Sequence, residues 1–82
     1  MSAFFLGSRS VARIALNHEL LVTRVCKKNG TFVCTGERII EGEFGKWTFD
    51  LFSPIDGIFR INRNRLGQLV PKGRTLYSIV RD

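Results

Sequence analysis

A ten-residue pattern of glycine, valine and an aliphatic residue occurs twice in this chain and constrains its fold more than any other feature. The first copy, Gly-Thr-Phe-Val-Cys-Thr-Gly-Glu-Arg-Ile, covers residues 30–39, and the second, Gly-Gln-Leu-Val-Pro-Lys-Gly-Arg-Thr-Leu, covers residues 67–76. Glycine at a fixed offset marks backbone that needs positive φ or close approach, and the aliphatic positions mark side chains that face a core. Two copies in 82 residues are too few for a solenoid, which needs about three or more repeats. They predict one domain of two similar halves.

From residue 20 onward, short apolar runs alternate with turn residues, a pattern typical of β-strands. The segment Ser-Pro-Ile-Asp-Gly at residues 53–57 is typical of a turn, because proline presets φ and Asp-Gly supplies an acceptor and a flexible residue. We predict strands at residues 20–26, 32–33, 38–41, 47–52, 58–61 and 75–80. The predicted fold is all-β, a flattened barrel or sandwich of two antiparallel sheets with pseudo-twofold symmetry, in which each half supplies one sheet.

The first nineteen residues fit two different patterns. The stripe of a helix is fitted by Val11, Ile14, Ala15 and His18. Strand alternation is fitted by Ala12, Ile14 and Leu16. Both alternatives stay open on the sequence alone. We therefore predict an N-terminal extension at residues 1–19 that holds an extra strand or helix, followed by the β domain at residues 20–82.

A hairpin is expected around Lys46. If residues 38–41 pair with residues 47–52, residues 42–46 form the connection, and its glycines permit a tight reversal of the chain. Lys46 is then exposed at an extremity of the molecule.

Trp47, next to this lysine, has two interpretations. An exposed tryptophan would suit recognition by a partner protein. Trp47 shares its alternation with Phe49 and Leu51, however, and this favours a side chain that covers the core at least in part.

The chain is basic, with 13 Lys and Arg against 7 Asp and Glu and a net charge of +6. Such a charge favours anionic partners through attraction that salt screens within about 10 Å. The candidate basic surface comprises Arg60, Arg63, Arg65, Lys72 and Arg74. It would bind an acidic protein or, without sequence specificity, a nucleic acid backbone, since no aromatic RNA-binding motif or recognition helix is evident.

Other function classes find no support in the sequence. The lone His18 has no evident Ser or Cys partner and the carboxylates form no recognisable pair, so we expect no catalytic residues and no enzyme activity. Cys26, Cys34 and one histidine do not indicate a metal site. The chain lacks a signal-peptide pattern and an apolar run of roughly 20 residues, so we expect a cytoplasmic protein that does not enter membranes.

The sequence resembles the biotinyl and lipoyl attachment domains from about residue 20 to residue 80. In that family the glycine–valine segment precedes a hairpin lysine, a Ser/Ala-Pro-x-x-Gly turn follows, and the segment then returns. Lys46 stands sixteen residues after Gly30 and seven before Ser53, where the family places its modified lysine. The landmarks that match are Gly30, Val33, Gly36, Lys46, Ser53, Pro54, Gly57, Gly67, Val70, Gly73 and Leu76.

The resemblance implies a non-catalytic carrier with lipoate, or less often biotin, attached to Lys46 and with a ligase and a client enzyme as partners. Glu43 matches an acidic position common in the family. Gly45 and Trp47 depart from it, because lipoyl domains usually have Asp-Lys-Ala and biotinyl domains Met-Lys-Met at the tip. The alternative is an unmodified basic interaction module that mimics a carrier domain.

Overall fold

The described part of the chain consists of short strands joined by turns. The computed structural model of the protein describes residues 10–62 and 65–81. The strands in this part are β1 (Ser10–Ile14), β2 (Leu20–Val25), β3 (Phe32–Val33), β4 (Arg38–Phe44), β5 (Trp47–Phe52), β6 (Gly57–Arg60), β7 (Leu69–Val70) and β8 (Tyr77–Arg81). Within these ranges there is no helix that is long and apolar enough to cross a membrane.

The strands form two four-stranded sheets, with strand orders β1-β8-β6-β3 and β5-β4-β2-β7. Every pairing is antiparallel. The predicted all-β class and the two antiparallel sheets are confirmed. The expectation that each half supplies one sheet is wrong, because each sheet contains two strands from the first half and two from the second. The halves are therefore interleaved, which buries both apolar faces in a single core.

The described part of the ambiguous N-terminal segment, residues 10–19, contains a strand and no helix. Ser10–Ile14 pairs with Tyr77–Arg81 at the edge of the first sheet. Ala12, Ile14 and Leu16 are partly buried and pack against the core, as strand alternation requires. Residues 1–9 lie outside the described part of the chain.

The pseudo-twofold symmetry covers all eight described strands. An offset of 37 residues, the spacing of the repeated motif, maps β1 to β4 onto β5 to β8. The same offset relates backbone hydrogen bonds: the Gly30 N–H donates to the Phe59 carbonyl at 2.7 Å, and the Gly67 N–H donates to the Val22 carbonyl at 2.9 Å. The Gly36 to Ser53 bond and the Gly73 to Leu16 bond are a second such pair. Each half therefore closes its turns against the other half.

The repeated motif has the conformations that its residue types predict. Its four glycines have positive φ, namely Gly30 (91°), Gly36 (87°), Gly67 (79°) and Gly73 (78°). The aliphatic positions of the motif, Val33, Ile39, Val70 and Leu76, are buried. The rest of the core comprises Leu20, Val22, Ile40, Phe59, Tyr77 and Ile79. Phe59 and Tyr77 meet edge to face, with ring centroids 5.7 Å apart.

The predicted turn after β5 is held by side-chain hydrogen bonds. The buried Ser53 hydroxyl donates to the Ile55 carbonyl at 2.7 Å. The Asp56 carboxylate accepts hydrogen bonds from the Thr35 N–H at 2.7 Å and from its hydroxyl at 2.9 Å. These bonds stabilise the charged form and lower the pKa of the Asp56 carboxyl below its ordinary value. Asp56 therefore joins this turn to the turn after β3.

Candidate functional site

The candidate site is the tip of the hairpin formed by β4 and β5. Phe44 pairs with Trp47, which leaves Gly45 and Lys46 as a two-residue connection. Gly45 has φ +60°, and the turn types that suit a two-residue hairpin need positive φ at the first central residue. The sequence predicted a longer connection beginning at Gly42. Gly42 instead lies buried inside β4, because the strand pairing continues to Phe44.

Lys46 is exposed on this turn. Within the part of the chain that the structure describes, its ammonium group has no ion-pair partner. The primary amine of a lysine at such an exposed turn is accessible to the active site of another enzyme. A short hairpin also fixes the place of the lysine Cα, while the flexible side chain can still move.

Trp47 does not cover the core, and the prediction that it would is wrong. Its side chain is 70% exposed, and the Phe44 side chain opposite it is 38% exposed. The alternation of β5 is real, since Phe49 and Leu51 pack against the core. The core simply does not reach the last pair of the hairpin. Trp47 therefore presents an indole to solvent beside the lysine.

A stack of rings that the sequence did not indicate supports the tip. The His18 ring lies 4.4 Å from the Phe44 ring, nearly parallel at 26°, and 5.1 Å from the Phe49 ring. His18 Nδ1 is 2.7 Å from the Glu19 carbonyl oxygen. A single histidine carries no sequence signal for such a contact. The pairing of β4 with β5, which places Phe44 near Phe49, is the part that could have been foreseen.

Glu43 lies on β4 between Thr48 on β5 and Leu21 on β2. Its side chain is exposed, and no ion pair joins it to Lys46 among the described residues. It contributes negative charge near the tip without neutralising the lysine.

Two other carboxylates on this hairpin belong to an ion-pair network. Glu41 and Asp50 are opposite each other across β4 and β5. Arg38 lies 3.2 Å from the Glu41 carboxylate and 3.9 Å from that of Asp50, and Arg24 lies 3.8 Å from Glu41. Arginine neutralises both carboxylates, so the arrangement is that of a surface ion-pair network and not of an acid and base pair.

The predicted basic surface is divided. Arg60 and Arg65 line one pocket, whereas Lys72 and Arg74 lie exposed in the turn after β7 and do not line it. Arg63 lies outside the described residues. The structure therefore brings together two of the four described members of this set.

Comparison with models of known protein families gives no match, and comparison with curated proteins gives none either. Among solved structures, the chain is similar to part of a single-chain, multi-domain long-chain acyl-CoA carboxylase, with a TM-score of 0.74 and 19% sequence identity. The similarity covers 88% of this chain and 7% of the carboxylase chain. At this identity the likeness shows the fold, which is a flattened sandwich of a size that forms one small part of that enzyme.

Proposed function

We propose that the protein is a non-catalytic biotinyl/lipoyl-like carrier domain that holds lipoate or biotin on Lys46. One observation carries the proposal: an exposed lysine without an ion-pair partner among the described residues occupies the two-residue turn that joins two interleaved halves. Its position along the chain is also the position at which the attachment domains place their modified lysine. The fold shared with part of a carboxylase supports the same proposal.

The chemistry asked of this chain is limited to one bond. The deprotonated Lys46 Nζ attacks the carboxyl carbon of a ligase-activated lipoate or biotin, the activating group leaves, and the nitrogen loses a proton as the amide forms. Bound there, the group would supply acyl or carboxyl transfer, and the domain would move it between active sites at high effective concentration. The sequence resemblance favours lipoate, and the carboxylase neighbour favours biotin.

The residues beside Lys46 fit a site that another protein must grip. Gly45 gives the turn its positive φ, and Trp47 offers a large exposed surface of the kind enriched at binding hot spots. Both differ from the residues usual in the attachment domains. We therefore expect a ligase and a client enzyme that recognise the folded hairpin and not a linear sequence.

Intact mass measurement tests this function. The chain is co-expressed with active lipoate and biotin ligases, together with Lys46→Arg and, as a matched control at another exposed turn, Lys72→Arg. We expect one lipoyl or biotinyl addition on the wild type and on Lys72→Arg and none on Lys46→Arg. An unmodified wild type, or an addition that persists in Lys46→Arg, would contradict the proposal.

A second candidate function is supported by the exposed Trp47 and by the flanking residues that depart from both attachment signatures. In this alternative Lys46 stays unmodified, and the tip, with Trp47 70% and Phe44 38% exposed, is a docking surface of a basic interaction module. An acidic protein is the expected partner, and nucleic acid would bind without specificity. The unmodified mass would point to this function, and retention on heparin that survives about 0.15 M salt would support it.

A further inference from the structure

An open pocket lies between the end of β6 and the start of β8. Its volume is about 290 Å³, and the residues that line it include Asn29, Arg60, Arg65, Tyr77 and Ser78. The size approaches the roughly 300 Å³ at which ligand sites in proteins begin. Its lining combines two arginines with residues that carry amide and hydroxyl groups. Lys46 and the hairpin tip do not line it.

Arg65 is fixed in the wall of this pocket with part of its hydrogen-bonding capacity unused. Its Nη2 donates to the Thr75 carbonyl at 3.0 Å. Its Nε is buried and has no hydrogen-bond partner within the described residues. Burial of an N–H of a charged group without an acceptor is unfavourable, and such groups in native proteins call for an explanation. Arg65 therefore brings to the pocket a positive charge that no carboxylate among the described residues balances.

The other polar groups of the pocket are also donors or can act as donors. The Asn29 Oδ1 accepts a hydrogen bond from the Ile61 N–H at 2.9 Å, which leaves the amide nitrogen of Asn29 for a ligand. Ser78 adds a hydroxyl group. Within the described part of the chain, neither Arg60 nor Arg65 has an ion-pair partner. The pocket is therefore positive and lacks a balancing carboxylate.

The other half of the protein provides an internal comparison. Arg60 lies opposite Ser78 on the neighbouring strand, and Arg24 lies opposite Glu41 in the corresponding strand pair, where a bulge after Val22 shifts the register. Ser78 and Glu41 are related by the offset of 37 residues.

In the first half Glu41 forms ion pairs with two neighbouring arginines. The Glu41 carboxylate lies 3.2 Å from Arg38 and 3.8 Å from Arg24. In the second half a serine replaces the glutamate, and the arginines of the pocket have no ion-pair partner among the described residues. The strand pair of the first half thus carries its own carboxylate beside the arginines, and the corresponding strand pair of the second half has room there for an anionic ligand.

We propose that this pocket binds the phosphate group of a small organic ligand. The Arg60 and Arg65 guanidinium groups supply charged donors, and Asn29 and Ser78 supply neutral ones. Four donor groups from four different residues suit a tetrahedral oxyanion with several acceptor oxygens better than a planar carboxylate. Ile61, a partly buried residue of the pocket lining, would contact an apolar body attached to the phosphate.

Nuclear magnetic resonance titration of ¹⁵N-labelled full-length chain tests the proposal. The probes are inorganic phosphate, phenyl phosphate and acetate, each added at an ionic strength matched with potassium chloride. We expect saturable shifts at Asn29, Ile61 and Ser78, a dissociation constant on the order of 1 mM or lower for phenyl phosphate, and weaker binding of phosphate and acetate. Because Lys46 does not line the pocket, the result is independent of whether Lys46 is modified.

Variants separate a built site from general attraction. Arg65→Met should weaken phenyl phosphate binding at least roughly tenfold, as expected for loss of a charged hydrogen-bond donor. Arg74→Met removes the same charge outside the pocket and should change binding less than about twofold. Ser78→Glu supplies the carboxylate that Glu41 supplies in the other half and should abolish binding while the spectrum stays folded.

The proposal is overturned by shifts that never saturate, or by Arg65→Met and Arg74→Met that weaken binding equally. It is also overturned if a single-stranded oligonucleotide binds across the whole basic surface while phenyl phosphate gives no saturable shift. That last result would leave nucleic acid backbone as the anionic partner.

Discussion

Replacement of Gly57 by alanine should destabilise the fold, and the reason is close approach and not φ. Gly57 opens β6 and pairs with Val33 on β3. A Cβ placed on Gly57 would lie 2.5 Å from the Val80 carbonyl oxygen and 2.9 Å from the Ile79 Cγ2 atom. The nearest atom belongs to the backbone of β8, so no change of rotamer relieves the clash. β6 would have to move away from β8 and lengthen the hydrogen bonds between them.

The magnitude follows from two opposing terms. Overpacking of a close-packed interior costs about 1 to 3 kcal/mol, and a contact to backbone puts Gly57→Ala at the upper end. Reduced freedom of the unfolded chain returns about 0.4 to 1 kcal/mol. We expect a net loss of about 2 kcal/mol in the free energy of unfolding, or roughly 8 to 16 °C in Tm for a domain of this size.

Gly36→Ala is the matched control. Gly36 has φ +87° but no atom within 4 Å of an added Cβ, so this variant pays only the cost of a left-handed backbone, about 1 to 2 kcal/mol before the same entropic return. Urea unfolding followed by far-ultraviolet circular dichroism measures both variants. The reasoning about Gly57 is refuted if Gly57→Ala is no more destabilised than Gly36→Ala.

Three further predictions concern groups whose environments the structure defines. Asp56→Asn should flatten the acid side of the curve of stability against pH. Because the pKa of Asp56 is lowered in the fold, its hydrogen bonds from Thr35 stabilise the fold above about pH 4 and are lost as the pH falls further. Measurement of Tm across acid pH checks this. Burial raises the pKa of Tyr77 to about 12, so the stability of the fold should decrease between about pH 10 and pH 12, and ultraviolet titration of this sole tyrosine measures the pKa. Tyr77→Phe removes the hydrogen bond to the Phe52 carbonyl and should cost about 1 kcal/mol, which urea unfolding measures. Trp47 fluorescence should have the emission of an exposed indole and be quenched by acrylamide in the folded state, and a blue-shifted, protected emission would contradict its 70% exposure.

The parts of the fold that the sequence predicts well are those fixed by local chemistry. Positive φ at Gly30 and Gly67 and burial of Val33 and Val70 follow directly from residue type and spacing. The turn at residues 53–57 is equally local. These features depend on a few neighbouring residues, so a single sequence is enough to place them.

The parts that the sequence does not predict depend on distant contacts. Whether Ser10–Ile14 is a strand depends on its pairing with β8, almost seventy residues later. The exchange of strands between the halves likewise depends on which edges meet. The exposure of Trp47 is not predicted, because alternation indicates which face of the sheet a side chain takes and not how far along the strand the core extends.

The symmetry of the two halves helps to separate what the fold requires from what it does not. The glycines of the repeated motif have the same conformation in both copies, since both copies must close the same turns. At the ends of the sheets the halves differ: Phe44 and Trp47 form one terminal pair, and their counterparts Arg81 and Ser10 form the other. The fold tolerates either pair, so folding alone does not call for an aromatic pair beside Lys46.

The same comparison applies to the anion pocket, where Ser78 takes the place of Glu41. On β4 the Glu41 carboxylate at this position forms ion pairs with nearby arginines. A serine there leaves Arg60 without such a partner among the described residues. Departures of this kind from an otherwise consistent pattern are expected at functional positions. The two sites are therefore tested separately. Substitution of Lys46 should abolish cofactor attachment and leave phosphate binding intact, and substitution of Arg65 should weaken phosphate binding and leave cofactor attachment intact.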